Sequence, residues 1–96
     1  MAELAPPRRG EVEGTFIIGV YILKSEKDGS YYVGSSNDIE RRFYDHNHGA
    51  GGKYSKIHSP WKIIWSKEFD SISKAREEEK RIKSFKGGNA FKKLLM

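Results

Sequence analysis

Apolar and polar positions alternate along this chain in two rhythms. Residues 16–24 and 30–35 are rich in β-branched and aromatic side chains, the composition of strands, and Asp28-Gly29 between them is a turn dipeptide. A hairpin is predicted. Residues 61–69 follow a Ser59-Pro60 break and set Trp61, Ile63 and Trp65 against Lys62, Ile64 and Ser66, which predicts a third strand with both tryptophans on one face. Elsewhere the period lengthens to that of a helix. Asn37 and Glu40 have capping-box spacing and predict a helix to about His48, with Ile39 and Phe43 inward. Glycines in 49–52 end it in a flexible loop. Asp70 or Ser71 caps a second helix, 72 to about 85, striped by Ile72, Ala75 and Ile82, until Gly87-Gly88 stops it; Asn89 can cap a short last helix to Leu95. The predicted order, β-β-α-β-α-α, describes a small α/β (α+β) domain, a three-stranded antiparallel sheet flanked by helices. Residues 1–14, with Pro6, Pro7 and scattered charge, have no period and predict a flexible lead to a domain over 15–96.

Three polar residues interrupt the apolar stripes. Arg42 and His46 flank the line of Ile39 and Phe43 one helical turn apart, so they can reach a common target. Glu79 takes the slot between Ala75 and Ile82 where a leucine is expected. These three are expected to face the same interior as Tyr21 and Tyr32 of the hairpin. A carboxylate drawn out of water costs several kcal/mol unless it is paired or holds a metal. Glu79 therefore needs a partner, either a cation or an ion pair with Arg42 or a lysine.

At 96 residues the chain is the size of one domain, which buries only about 60–65% of its unfolded surface. The net charge is +5, and the whole basic excess lies beyond Gly52. That asymmetry favours a polyanionic partner, nucleic acid ahead of an acidic membrane surface, against the plainer account that lysines solubilise exposed helix faces. Cysteine is absent, which leaves no disulfide framework or thiolate zinc site and makes the cytoplasm the expected compartment. No apolar stretch approaches the ~20 residues of a membrane span.

Hydrolysis of a phosphodiester needs cations on the phosphoryl oxygens, a base for water and a metal for the leaving oxygen. Arg42 suits the first task through its planar fork. Tyr21, Tyr32 and His46 are candidates for the second. Glu79 suits the third, because a hard ion can be held by one carboxylate while keeping most of its waters.

With Gly19-Val20-Tyr21 and Tyr32-Val33-Gly34 in the hairpin, Arg42 ten residues beyond the second motif tyrosine, His46 one turn later, and Ala75, Glu79 and Lys83 in the second helix, the chain resembles a stand-alone GIY-YIG nuclease domain. The resemblance covers residues 16–96. It implies an endonuclease acting on DNA, branched or nicked substrates included, with one Mg²⁺ or Mn²⁺. Tyr21 and Tyr32 become active-site tyrosines, Arg42 the contact to the scissile phosphate, His46 a base or orienter, and Glu79 the sole protein ligand of the metal. Ser35 stands where some members carry lysine. Lys53, Lys56, Lys83, Lys86 and Asn89 are further candidate contacts to nucleic acid, Asn89 being equally well explained as a helix cap. Members usually draw target choice from an added binding domain, so a protein partner or a second copy is the expected source of specificity here. The alternative is a module of the same fold that binds nucleic acid without cutting it.

Overall fold

The computed structural model describes residues 16–96, so the lead expected over 1–14 lies outside the described residues. Strand β1 (Gly19–Ser25) is apolar at nearly every position and takes the centre of the sheet, where both faces are covered. It pairs antiparallel with β2 (Tyr31–Ser36) on one side and β3 (Trp61–Glu68) on the other. The hairpin loop is closed by the Ser25 N–H donating to the Ser30 carbonyl at 2.7 Å, and Gly29 supplies the left-handed residue, φ 79°. At Gly19 the strand presses so closely on β3 that a Cβ would collide with the Lys67 carbonyl oxygen.

Side chains of β1 alternate between two helical layers. Val20 and Ile22 pack with Ala75 and Ile82 of α3 (Ile72–Lys83) and Phe91 of α4 (Asn89–Leu94). Tyr21 and Leu23 turn the other way, onto Ile39 and Phe43 of α1 (Ile39–Asn47) and onto Trp61. Each fully buried aliphatic chain in these layers is worth about 1.5–3 kcal/mol. No helix among the described residues is long and apolar enough to cross a membrane.

The predicted elements are present in the predicted order, with one addition and three local corrections. A short helix, α2 (Lys53–His58), follows the glycine loop. Asp38, not Asn37, caps α1 and accepts from the Arg41 N–H at 3.2 Å; the chain is drawn in by the Ile39 N–H donating to the Ile17 carbonyl, which puts Asp38 at the mouth of the helix. Asn89 is the first residue of α4 and makes no side-chain cap hydrogen bond.

The third correction concerns β3. Ile22 pairs with Trp65 but Leu23 with Ile63, so Ile64 is an extra residue, a β-bulge. The alternation resets there. Trp61 is buried with Tyr21 and Leu23 while Trp65 packs on the Val20 face, so the two tryptophans do not share a face.

Asn47, at the end of α1, grips the start of β3 with both ends of its amide: Oδ1 accepts the Trp61 N–H at 2.6 Å and Nδ2 donates to the Trp61 carbonyl at 3.1 Å. Asn47→Ala is expected to lower the urea midpoint by the equivalent of about 2 kcal/mol, two lost bonds and one stranded N–H. A midpoint within error of wild type would mean water replaces the clasp.

Candidate active site

The site begins with the period of two along β1, which sends Tyr21 to the α1 face opposite Gly34 of β2. Its phenol lies over that glycine: a Cβ there would come within 2.6 Å of the Tyr21 oxygen. The closing glycine of Tyr32-Val33-Gly34 therefore makes the room that the tyrosine of Gly19-Val20-Tyr21 fills. Tyr32 stands on the same face, its ring 6.4 Å from that of Tyr21 and 4.5 Å from the imidazole of His46.

One face of α1 delivers Arg42 and His46 to these tyrosines. The Arg42 guanidinium stands near enough for its charge to act on the Tyr21 phenol and lies 3.8 Å from Asp45. His46 is fully buried. Its Nε2 is 3.1 Å from the Tyr21 oxygen, and its Nδ1 is 2.5 Å from the Ser55 hydroxyl. Gly51 covers the ring so closely that a Cβ would fall 2.5 Å from Nδ1.

Burial is the chief cause of both unusual ionisations. It pushes the Tyr21 phenol well above its ordinary range, helped by the neighbouring Tyr32 phenol and the Glu79 carboxylate and opposed by Arg42. It lowers His46 from 6.5 to about 4, with Arg42 adding to the effect and Asp45 opposing it. At neutral pH the pair is an intact phenol against a neutral imidazole. Unfolded chains take up a proton at this histidine below about 6.5 and the folded protein refuses it until about 4, so stability is whole above that window and falls as pH drops through it, by about 1.4 kcal/mol per unit at most. Thermal melts of wild type are expected to slope down across the window, and those of His46→Gln to be flatter there. Parallel curves would assign the acid loss to other groups.

Glu79 reaches the site by another route than expected. It rises from α3, which covers the Val20 face, whereas Tyr21, Tyr32, Arg42 and His46 occupy the α1 face. The two sets meet around the edge strand β2. Ser35, which follows Gly34 and pairs with Val20, donates its hydroxyl to Glu79 Oε1 at 2.5 Å, while Lys83 Nζ lies 2.6 Å from Oε2. From there the carboxylate charge is felt at the Tyr21 phenol.

Among the described residues no three His, Cys, Asp or Glu side chains form a metal cage. What Glu79 and Ser35 offer is a carboxylate and a hydroxyl in contact, a hard oxygen pair that fits an ion bound mostly by water. Beside them a groove of about 340 Å³ is lined by Tyr31, Val33, Ile82 and Phe91 together with Lys83 and Lys86. Lys53 and Lys56 are exposed on α2, and Asn89 is exposed at the start of α4. Among the described residues no hydrogen bond or ion pair ties these three to Tyr21 or Tyr32. Ser55 and Asn47, which hold His46 and its helix in place, carry no motif or periodicity that would have singled them out.

Residues 17–92 match the family model of the GIY-YIG catalytic domain. The chain is also similar to UPF0213 proteins. It is 46% identical over 66 residues to one from Staphylococcus saprophyticus, covering 69% of this chain and 79% of the relative. A Halobacterium salinarum relative is 41% identical over 64 residues, 67% of this chain and 82% of its own, and one from Staphylococcus epidermidis is 38% identical over 66 residues, 69% and 79%. No solved structure gives a significant match.

Proposed function

The chain belongs to the GIY-YIG catalytic-domain family, and we propose that it is a divalent-cation-dependent endonuclease that hydrolyses DNA phosphodiester bonds. One observation carries the reading: a phenol hydrogen-bonded to a neutral imidazole lies in the field of a guanidinium, with a carboxylate held at the adjoining sheet edge.

A phenolate is not required. A water attacking phosphorus gives its proton to the Tyr21 oxygen as that oxygen passes its own to His46 Nε2, so the phenol relays a proton without ever losing its charge balance. This accords with a phenol whose burial opposes ionisation. Arg42 supports the charge that develops on the phosphoryl oxygens as the bond to the leaving oxygen breaks. Bound at Glu79 and Ser35, Mg²⁺ or Mn²⁺ supplies positive charge for that leaving oxygen. With a cation held at Glu79, the Lys83 ammonium that now pairs with it would be free, with Lys86 alongside the groove, to meet the phosphate backbone. Lys53 and Lys56 extend the basic surface on α2. The absence of cysteine suits work in the reducing cytoplasm.

Incubation with supercoiled plasmid tests the reading. Nicked circles are expected with Mg²⁺ or Mn²⁺ and none with EDTA. Binding that weakens steeply with salt, without cleavage under any metal, would instead make the chain a non-catalytic nucleic-acid-binding module.

A further inference from the structure

A buried serine closes the far end of the proton path. Ser55 is 1% exposed, sits on the short helix α2, and presents its hydroxyl to His46 Nδ1 at 2.5 Å. The backbone around it is fixed as well, since the Ser55 carbonyl accepts from the Trp61 indole N–H at 2.9 Å, and Gly51 lies against the imidazole, where any Cβ would collide with Nδ1.

Hydrogen-bond polarity then sets the tautomer. The Tyr21 hydroxyl is buried, and the positive charge of Arg42 acting on it favours its lone pairs turned to the guanidinium and its proton turned away. The phenol proton is left to point at His46 Nε2, 3.1 Å away, which must accept. A neutral imidazole that accepts at Nε2 carries its proton on Nδ1, facing Ser55. We infer that Ser55 is a positioning residue that holds His46 in the Nδ1–H tautomer and so keeps Nε2 open to the proton leaving Tyr21. The inference rests on the proposed nuclease reading for its catalytic meaning, but the tautomer itself does not. Charged and titratable groups facing the ring are Tyr21 from β1, Tyr32 from β2, and Arg42 and Asp45 from α1. Only Asp45 favours the protonated ring.

Without the hydroxyl, an Nδ1–H would be buried against a methyl group, so the Nδ1–H form loses the bond that favours it and the Nε2–H form gains population. Nε2 is then no longer an acceptor.

Two readouts separate the outcomes. In ¹⁵N-labelled protein without metal or DNA, long-range ¹H–¹⁵N spectra of His46 are expected to give the Nδ1–H pattern for wild type and a shift towards Nε2–H for Ser55→Ala. In the plasmid assay Ser55→Ala is expected to lose about 10–100-fold in kcat, the range for groups that orient a ligating or reacting histidine, with DNA affinity unchanged; Ser55→Thr, which keeps the hydroxyl, regains part of it. Nε2–H in wild type, or the same tautomer in wild type and Ser55→Ala, overturns the inference whatever the nuclease result. An inactive wild type that still carries Nδ1–H would sink the nuclease reading and leave the positioning role standing. If Ser55→Ala fails to fold, Ser55→Cys, a weaker acceptor of similar volume, is read in the same spectra.

Discussion

Arg42→Ala is expected to lower metal-dependent cleavage by about 10³–10⁵-fold, the range seen when an arginine that supports a phosphoryl transition state is lost. The guanidinium is half-buried and is not tied up in a strong ion pair, Asp45 being at 3.8 Å. Its charge is therefore available to a phosphate. Arg42→Lys should recover little, since an ammonium on a flexible stem cannot present two parallel donors. A second effect accompanies the first. Because Arg42 helps hold the His46 pKa down, removing it should raise that pKa, visible by titrating the histidine C–H resonances. If kcat survives Arg42→Ala while only KM rises, the residue binds substrate without supporting the chemistry.

Tyr21→Phe should cost about 10²–10⁴-fold in kcat, the usual contribution of a positioned proton-transfer group. It should also destabilise the fold by about 1–3 kcal/mol, because His46 Nε2 loses its donor inside the core. Both losses come from one oxygen atom. Tyr32→Phe is the control that decides between the two tyrosines, since Tyr32 touches His46 through its ring while Tyr21 meets it through the hydroxyl. A smaller effect for Tyr32→Phe is expected. The reverse order, measured on variants that bind DNA equally, would hand the relay to Tyr32.

The hairpin, α1 and α3 were legible because their apolar spacing is strong and their ends carry turn or cap residues. Arg42 and His46 were legible for the same reason, as polar side chains on an apolar face, and they do meet Tyr21. Glu79 interrupts an apolar stripe and so reads as an inward residue, but its helix packs on the opposite side of the sheet from the tyrosines. Periodicity reports that a helix face is buried; it does not report which layer buries it. The six residues of α2 are too few to impose a period, so Ser55 gave no sign of its contact with the imidazole. Ile64 defeats the reading of β3 in a different way, because an inserted residue keeps the composition of a strand while reversing the direction of every side chain after it. The cap at Asp38 was missed by one position, within the usual blur of helix ends.

The meeting of two layers around β2 bears on when the protein can act. In the proposed mechanism one layer contributes the proton path and the other the carboxylate, so neither the hairpin with α1 nor the later helices alone would carry the complete set. During synthesis α3 is the last of the contributing segments to be made, and any breathing that lifts it from the sheet withdraws the acid group. On the proposed nuclease reading, cleavage is thus expected only from the finished tertiary state, and half-folded copies are expected to leave nucleic acid around them intact.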